Sequence, residues 1–128
     1  MSGYSTNIEV KTLEGNNYRE VLYTTPRSQL VIMTLQPGAE IGMEHHDGRD
    51  QFIRVEDGEG VALLDGEEHA LSDGIAVVIP AGTEHNVINT STTTPLRLYT
   101  LYMPPEHPAG TVHETKAEAD EYERLHGH

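Results

Sequence analysis

The sequence predicts an all-β domain, a sandwich or barrel of short antiparallel strands. Three observations carry that prediction. Apolar, β-prone segments recur about every 8–12 residues along the middle of the chain. Turn signals cut them: Pro37-Gly38, Asp57-Gly58, Asp65-Gly66, Asp73-Gly74 and Pro80-Ala81-Gly82. No long amphipathic helix separates them, which argues against a parallel α/β sheet.

Taken in order, YREVLYTTP, starting at Tyr18, is an alternating segment and the first strand candidate. QLVIMTLQPG, residues 29–38, is apolar throughout until Pro37-Gly38 stops it. QFIRVEDGEG starts as a strand at Gln51 and breaks at Asp57-Gly58. VALLDGEEHAL is a hairpin, because Asp65-Gly66 lies between two apolar runs. SDGIAVVIPAG, residues 72–82, is a further strand, and HNVINTSTTTPLRLYTLYMPP is two strands around the polar loop 90–95. In LRLYTLY, alternation puts Leu96, Leu98, Thr100 and Tyr102 on one face and Arg97, Tyr99 and Leu101 on the other. The tail HETKAEADEYERLHGH is charged and rich in helix formers, and Thr115 precedes Glu118 by three residues, a capping-box spacing. A helix over residues 116–125 is predicted.

A chain of 128 residues suggests one domain, with a barrel core over about 18–105 and a tail over 106–128. A chain of this length can bury roughly two-thirds of its unfolded surface, enough for a real core. Cysteine is absent, which excludes disulfides, thiolate metal sites and a cysteine nucleophile, and fits a reducing compartment. MSGYSTNIEV has neither a basic nor an apolar leader region, so no signal peptide is expected and a cytoplasmic location is. No apolar run approaches the ~18 residues of a membrane span. The net charge of −13 repels phosphate backbones, so no nucleic-acid partner is expected. No G-x-S-x-G elbow, P-loop or G-x-G-x-x-G is present.

One segment is out of place for a sheet. GAEIGMEHHDGRDQ, residues 38–51, puts polar groups where an interior is expected. Residues i and i+2 of a strand share a face, so Glu44 and His46 point together, about 6–7 Å apart along the backbone, and His45 points away. Asp47-Gly48-Arg49-Asp50 reverses the chain, and Gln51 then opens a strand that can face the same cavity. His85 follows the Pro80–Gly82 turn and shares a face with Val87 and Asn89. Glu44, His46, Gln51 and His85 can therefore converge inside one barrel. Buried polar groups cost several kcal/mol each unless partnered, and a divalent cation is one partner for all four.

These two segments resemble the paired motifs of the cupin superfamily. The first motif, G-x5-H-x-H-x(3,4)-E-x6-G, aligns with Gly38, Glu44, His46, Gln51 and Gly58. The second, G-x5-P-x-G-x2-H-x3-N, is matched at every position by Gly74, Pro80, Gly82, His85 and Asn89. The resemblance implies a double-stranded β-helix (jelly-roll) barrel with the short helix appended, and a homodimer. It implies a divalent metal held by three histidines and a glutamate. Here Glu44 stands at the first histidine position and Gln51 at the glutamate position. Glu44, His46 and His85 remain as two imidazoles and one carboxylate, a kit suited to iron, manganese, nickel, copper or zinc. Gln51 is either a fourth, weak donor or an anchor for water.

Two activities are compatible with this set. One is a metal enzyme acting on a small organic molecule, dioxygenase-like with a redox metal or isomerase- or lyase-like with zinc. The other is a non-catalytic small-molecule-binding barrel whose metal is structural or absent. A phosphate ligand is disfavoured, since only Arg54 and Arg97 lie on nearby strands. His107 and His113 flank PAGTV, which either folds over the barrel mouth and offers one of them to a substrate, or is a turn that docks the helix. Tyr102 is the third candidate for a catalytic role. Phe52 faces away from Gln51, into the gap between sheets or a dimer contact. Met33, Met43 and Met103 are expected in the core or the pocket wall. His69 is expected to be solvated, and His126 and His128 carry no expected role.

Overall fold

The computed structural model describes residues 2–126. Nine strands follow one short helix: α1 (Ile8–Glu14), β1 (Arg19–Thr24), β2 (Gln29–Leu35), β3 (Asp50–Asp57), β4 (Gly60–Leu64), β5 (Glu67–Leu71), β6 (Ala76–Ile79), β7 (His85–Asn89), β8 (Leu96–Met103) and β9 (Val112–His113); α2 (Lys116–His126) closes the chain. The strands form a six-stranded sheet, β6-β3-β8-β2-β1-β9, and a three-stranded sheet, β5-β4-β7. Every pairing is antiparallel. Bridges from Glu40 to Ile88 and from Glu44 to His85 lay the segment before β3 along the free edge of β7.

The register sorts the interior into layers. Leu35 faces Leu96 and Met33 faces Leu98 at one end of the large sheet. At the other end Tyr102 has Gln29 on one side and Gln51 on the other. Val31, Leu35, Val55, Leu96 and Leu98 are wholly inaccessible. Burying each such side chain contributes about 1.5–3 kcal/mol, so the apolar end carries the stability. The polar end is then available for chemistry. The expected face of Leu96, Leu98, Thr100 and Tyr102 is the inner one, and all four are buried.

Helix α1 is absent from the sequence-based prediction. Its signals are slight: Asn7 before it, whose Oδ1 accepts from Val10 N at 3.0 Å, and Gly15 after it. It covers the outer face of β2, β3 and β8. Thr34 Oγ1 and Arg97 Nε both donate to the Gly15 carbonyl, at 3.0 Å each. Phe52 also lies on the outer face, against Tyr99, and so not in the gap between the sheets. Met33 is core; Met103 is exposed, which corrects the expectation for it.

The tail is part of the barrel. β9 pairs with β1, and α2 begins at the predicted position. Thr115 Oγ1 accepts from Glu118 N at 3.1 Å, while the Glu118 carboxylate turns back to Glu114 N at 3.3 Å rather than to Thr115. Gln29 clamps the segment in between. Its Nε2 donates to His107 O at 2.6 Å, and its Oε1 accepts from His107 N at 3.0 Å. Among the described residues no helix is long and apolar enough to cross a membrane. His128 lies outside the described residues.

Candidate metal centre

Two turns deliver the site. Gly82, at φ +83°, closes the Pro80–Gly82 turn in a backbone conformation that a side chain would strain, and its N–H donates to His46 O at 3.0 Å. The chain then enters β7 at His85. Glu44 and His85 exchange main-chain hydrogen bonds of 2.9 and 2.8 Å. Such a pair puts both side chains on one face of the ladder.

Glu44 Oε1 lies 3.4 Å from His46 Nε2 and 3.6 Å from His85 Nε2. One donor atom from each of Glu44, His46 and His85 falls within 4.8 Å of the others. Both Nε2 atoms are buried and turned to the Glu44 carboxylate, without a well-aligned hydrogen bond to it. Two donors held about 2.0–2.2 Å from one ion stand about 3–3.5 Å apart, which is close to this spacing. The residues therefore fit a divalent ion.

The electrostatics agree. Burial pushes the Glu44 carboxyl up, but the His46 and His85 imidazoles outweigh it and hold the group at about 2. Burial lowers His85, while Glu44 and the Thr83 carbonyl outweigh it and raise it. The contact of His85 Nδ1 with Thr83 O is 2.9 Å. A carbonyl only accepts, so Nδ1 carries a proton, and Nε2 is the ring nitrogen turned to Glu44, the one that would serve a metal in place of a proton.

His46 is oriented from behind by a residue that the sequence reading missed. Its Nδ1 lies 3.4 Å from Glu106, whose carboxylate is held by Arg49 at 2.7 Å. Arg49 Nε also donates to Pro104 O and Pro105 O, at 3.0 and 3.1 Å, so it ties the tail to the loop before β3.

Gln51 is 2% exposed; its Nε2 donates to Thr100 Oγ1 at 3.0 Å, and its Oε1 is left with no partner. Its cross-strand neighbour Tyr102 meets the His46 ring edge-on at 6.1 Å. Burial raises the Tyr102 phenol well above its usual range, so it is a neutral O–H. His107 meets the other side of the Tyr102 ring at 5.2 Å. His113 sits farther along, with Nδ1 3.3 Å from Arg19 Nη1. His45 is exposed, as expected, and His69 is half-exposed beside Glu67 at 2.9 Å.

A cavity of about 540 Å³ opens above the set, bordered by Met43, Glu44, His46, Arg49, Glu106 and Glu123. The tail therefore does reach the mouth, but it brings Glu106 and Glu123 to the cavity wall. Arg54 and Arg97, the two arginines singled out in the sequence, belong to the outer face, where Arg54 meets Glu56 at 3.3 Å and Arg97 meets Asp57 at 3.9 Å. The cations near the site are Arg19 and Arg49. The one local signal for Arg19 is its place two residues before Val21, on the inward-facing phase of β1.

A family model described as the cupin domain matches residues 31–102. The chain is 45% identical over 122 residues to the uncharacterized protein YrkC of Bacillus subtilis, an alignment covering 91% of this chain and 65% of that protein, so it spans a little under two thirds of that relative. BH2720 from Bacillus halodurans is 43% identical and superposes with a TM-score of 0.90 over 92% of this chain and 93% of that one. KdgF from Halomonas is more distant, at 27% identity and a TM-score of 0.64 over 69% of this chain and 78% of that one.

Proposed function

The chain belongs to the cupin superfamily, and on that premise we propose that it is a mononuclear metal enzyme acting on a small organic molecule. Glu44, His46 and His85 would hold the ion, and Gln51 Oε1 would serve as a weak fourth donor or water anchor. The observation that carries this reading is the convergence of two buried imidazole Nε2 atoms on one carboxylate oxygen, at 3.4 and 3.6 Å, a spacing that suits donors around one ion. Three strong protein donors are the number found in catalytic rather than structural zinc sites.

When bound, the ion supplies Lewis acidity or, if redox-active, electron-transfer chemistry. The chain's own residues do the rest. Glu44 remains a carboxylate over the working pH range. Tyr102, a neutral phenol, packs edge-on against the His46 ring. Arg49 and Glu106 fix the His46 ring and close the cavity on the tail side.

The test is elemental analysis of tag-free protein by mass spectrometry after gel filtration. About one equivalent of a divalent metal per chain is expected. Iron, copper, manganese or nickel directs the next assay to oxygen consumption, and zinc to isomerase or lyase substrates. No metal, even after soaking with each ion, overturns the reading in favour of a metal-free binding barrel. The proposal extends to a homodimer. The edge strand β6 exposes Val78 by 65%, and open edges of this kind favour pairing. Sedimentation equilibrium at monomer mass would refute it.

A further inference from the structure

Arg19 is 4% exposed, yet the protein uses little of its hydrogen-bonding capacity. A guanidinium has five N–H donors in a planar fork. Its polar contacts to His113 and Glu123 share one nitrogen: Nη1 is 3.3 Å from His113 Nδ1 and 3.8 Å from Glu123 Oε1. The Nε atom is buried with no acceptor, and the remaining support is the face of Tyr18, 5.2 Å from the guanidinium carbon. An under-satisfied buried cation costs several kcal/mol unless an anion completes it.

The position of Arg19 says where that anion would come from. In register, Arg19 stands opposite Met33 of β2 and His113 of β9, on the inner face. Glu123, which it meets, borders the same cavity as Glu44 and His46. Tyr18 and Tyr102 each lie within electrostatic reach of both Arg19 and Glu44. Arg19 does not line that cavity itself; it lies behind Glu123, which does, so a ligand that displaces the Glu123 carboxylate would reach it.

We infer that Arg19 anchors a carboxylate group of the ligand, and that Glu123 occupies this anchor when no ligand is bound. The inference deepens the proposed function and rests on it only in placing that carboxylate beside a metal. The anion beside Arg19 is itself a carboxylate, that of Glu123, and planar two-oxygen anions match the guanidinium fork. A phosphate is less suited, because the cation that lines the cavity, Arg49, is engaged by Glu106 at 2.7 Å and by two carbonyls. Glu44, Glu106 and Glu123 would also repel a dianion more strongly than a monoanion. His113, with Nδ1 accepting from Arg19, holds the guanidinium in place.

The test titrates pyruvate and its neutral analogue methyl pyruvate into the full chain by calorimetry, first metal-free and then loaded. Metal-free protein should bind pyruvate and not methyl pyruvate. Glu123→Gln should tighten pyruvate binding about fivefold by removing the competing carboxylate, and Arg19→Gln should weaken it at least about tenfold. Arg19→Lys, which keeps the charge but loses the fork, should fall between. Glu123 lies on a half-exposed helix face, so its variant remains informative if Arg19→Gln fails to fold. Unchanged pyruvate affinity in Glu123→Gln, or no pyruvate binding by that variant at millimolar concentration, overturns the inference. Elemental analysis of the same samples separates the two readings. Arg19-dependent binding without metal uptake sinks the metal reading alone. Metal uptake without Arg19-dependent binding sinks this one alone.

Discussion

His85 N donates to Glu44 O at 2.8 Å, and Glu44 N donates to His85 O at 2.9 Å. One residue from each conserved-spacing motif is therefore locked to the other through the main chain, before any side chain is considered. The pair makes the donor geometry a property of the sheet rather than of a ligand, and so the site is preorganised. His46 lacks such a bond to either and depends on its own supports, Gly82 N at 3.0 Å and Glu106 at 3.4 Å.

His46→Ala and His85→Ala should each lose retained metal on gel filtration, while His69→Ala should keep it. His69 lies on β5 and pairs with Glu67, away from the set. A full metal complement in His46→Ala would place the site elsewhere.

Gln51→Glu should tighten a hard divalent ion about tenfold, because a neutral amide oxygen becomes a charged one. Thr100 Oγ1, which now accepts from Gln51 Nε2, can instead donate to the new carboxylate. Competition with a chelator reads the change. Equal affinity in the two proteins would show that Oε1 does not face the ion.

Glu106→Gln should weaken metal binding about 10–100-fold with little change in melting temperature, since it acts on the orientation of the His46 ring, whereas Arg49→Met should weaken it and also lower the melting temperature, because the buried Glu106 carboxylate loses the cation that holds it. Glu106→Gln should be the milder, because an amide can still meet Nδ1. Parallel losses in melting temperature and in affinity in Glu106→Gln would indicate a purely structural role.

Asn89, the last residue of the second motif, touches no candidate ligand. Its Nδ2 reaches Leu35 O, Gln36 O and Thr94 O at 3.1, 3.1 and 2.9 Å, and its Oδ1 accepts from Ser91 N at 2.9 Å. Asn89→Ala should cost about 2–4 kcal/mol in urea unfolding, because several buried backbone groups lose their partner together. Metal stoichiometry of the folded fraction should not change. A loss under 1 kcal/mol, on the order of a single solvated hydrogen bond, would refute the role assigned to it.

The His113 ring gives a pH signature. Burial and the neighbouring Arg19 charge both push its pKa below the ordinary imidazole range. The unfolded state therefore takes up a proton first as pH falls. The stability contributed by neutral His113 is complete above about 6.5 and is lost as pH drops through the folded value. The melting-temperature gap between wild type and His113→Gln should narrow on acidification below about 6.5. A gap that widens in acid would mean the folded ring prefers the proton.

The sequence by itself determined the architecture and pointed to the candidate set. Its strands are short and carry their own turn signals, so element type was local information: Asp65-Gly66, Pro80–Gly82 and the alternation of Leu96, Leu98, Thr100 and Tyr102 each needed only neighbouring residues. Motif spacing named Glu44, His46, Gln51 and His85. Helix α1 escaped because seven residues carry too little periodicity to outweigh a chain of β signals. Only the tertiary structure decided what surrounds the set. Arg19, Arg49, Glu106 and Glu123 come from strand, loop, tail and helix, and no spacing rule links them. They meet because β9 pairs with β1 and Gln29 holds the tail across the mouth. Charge complementarity in a cavity acts through space, between residues that are distant along the chain, and for that reason it was not legible until the chain was folded.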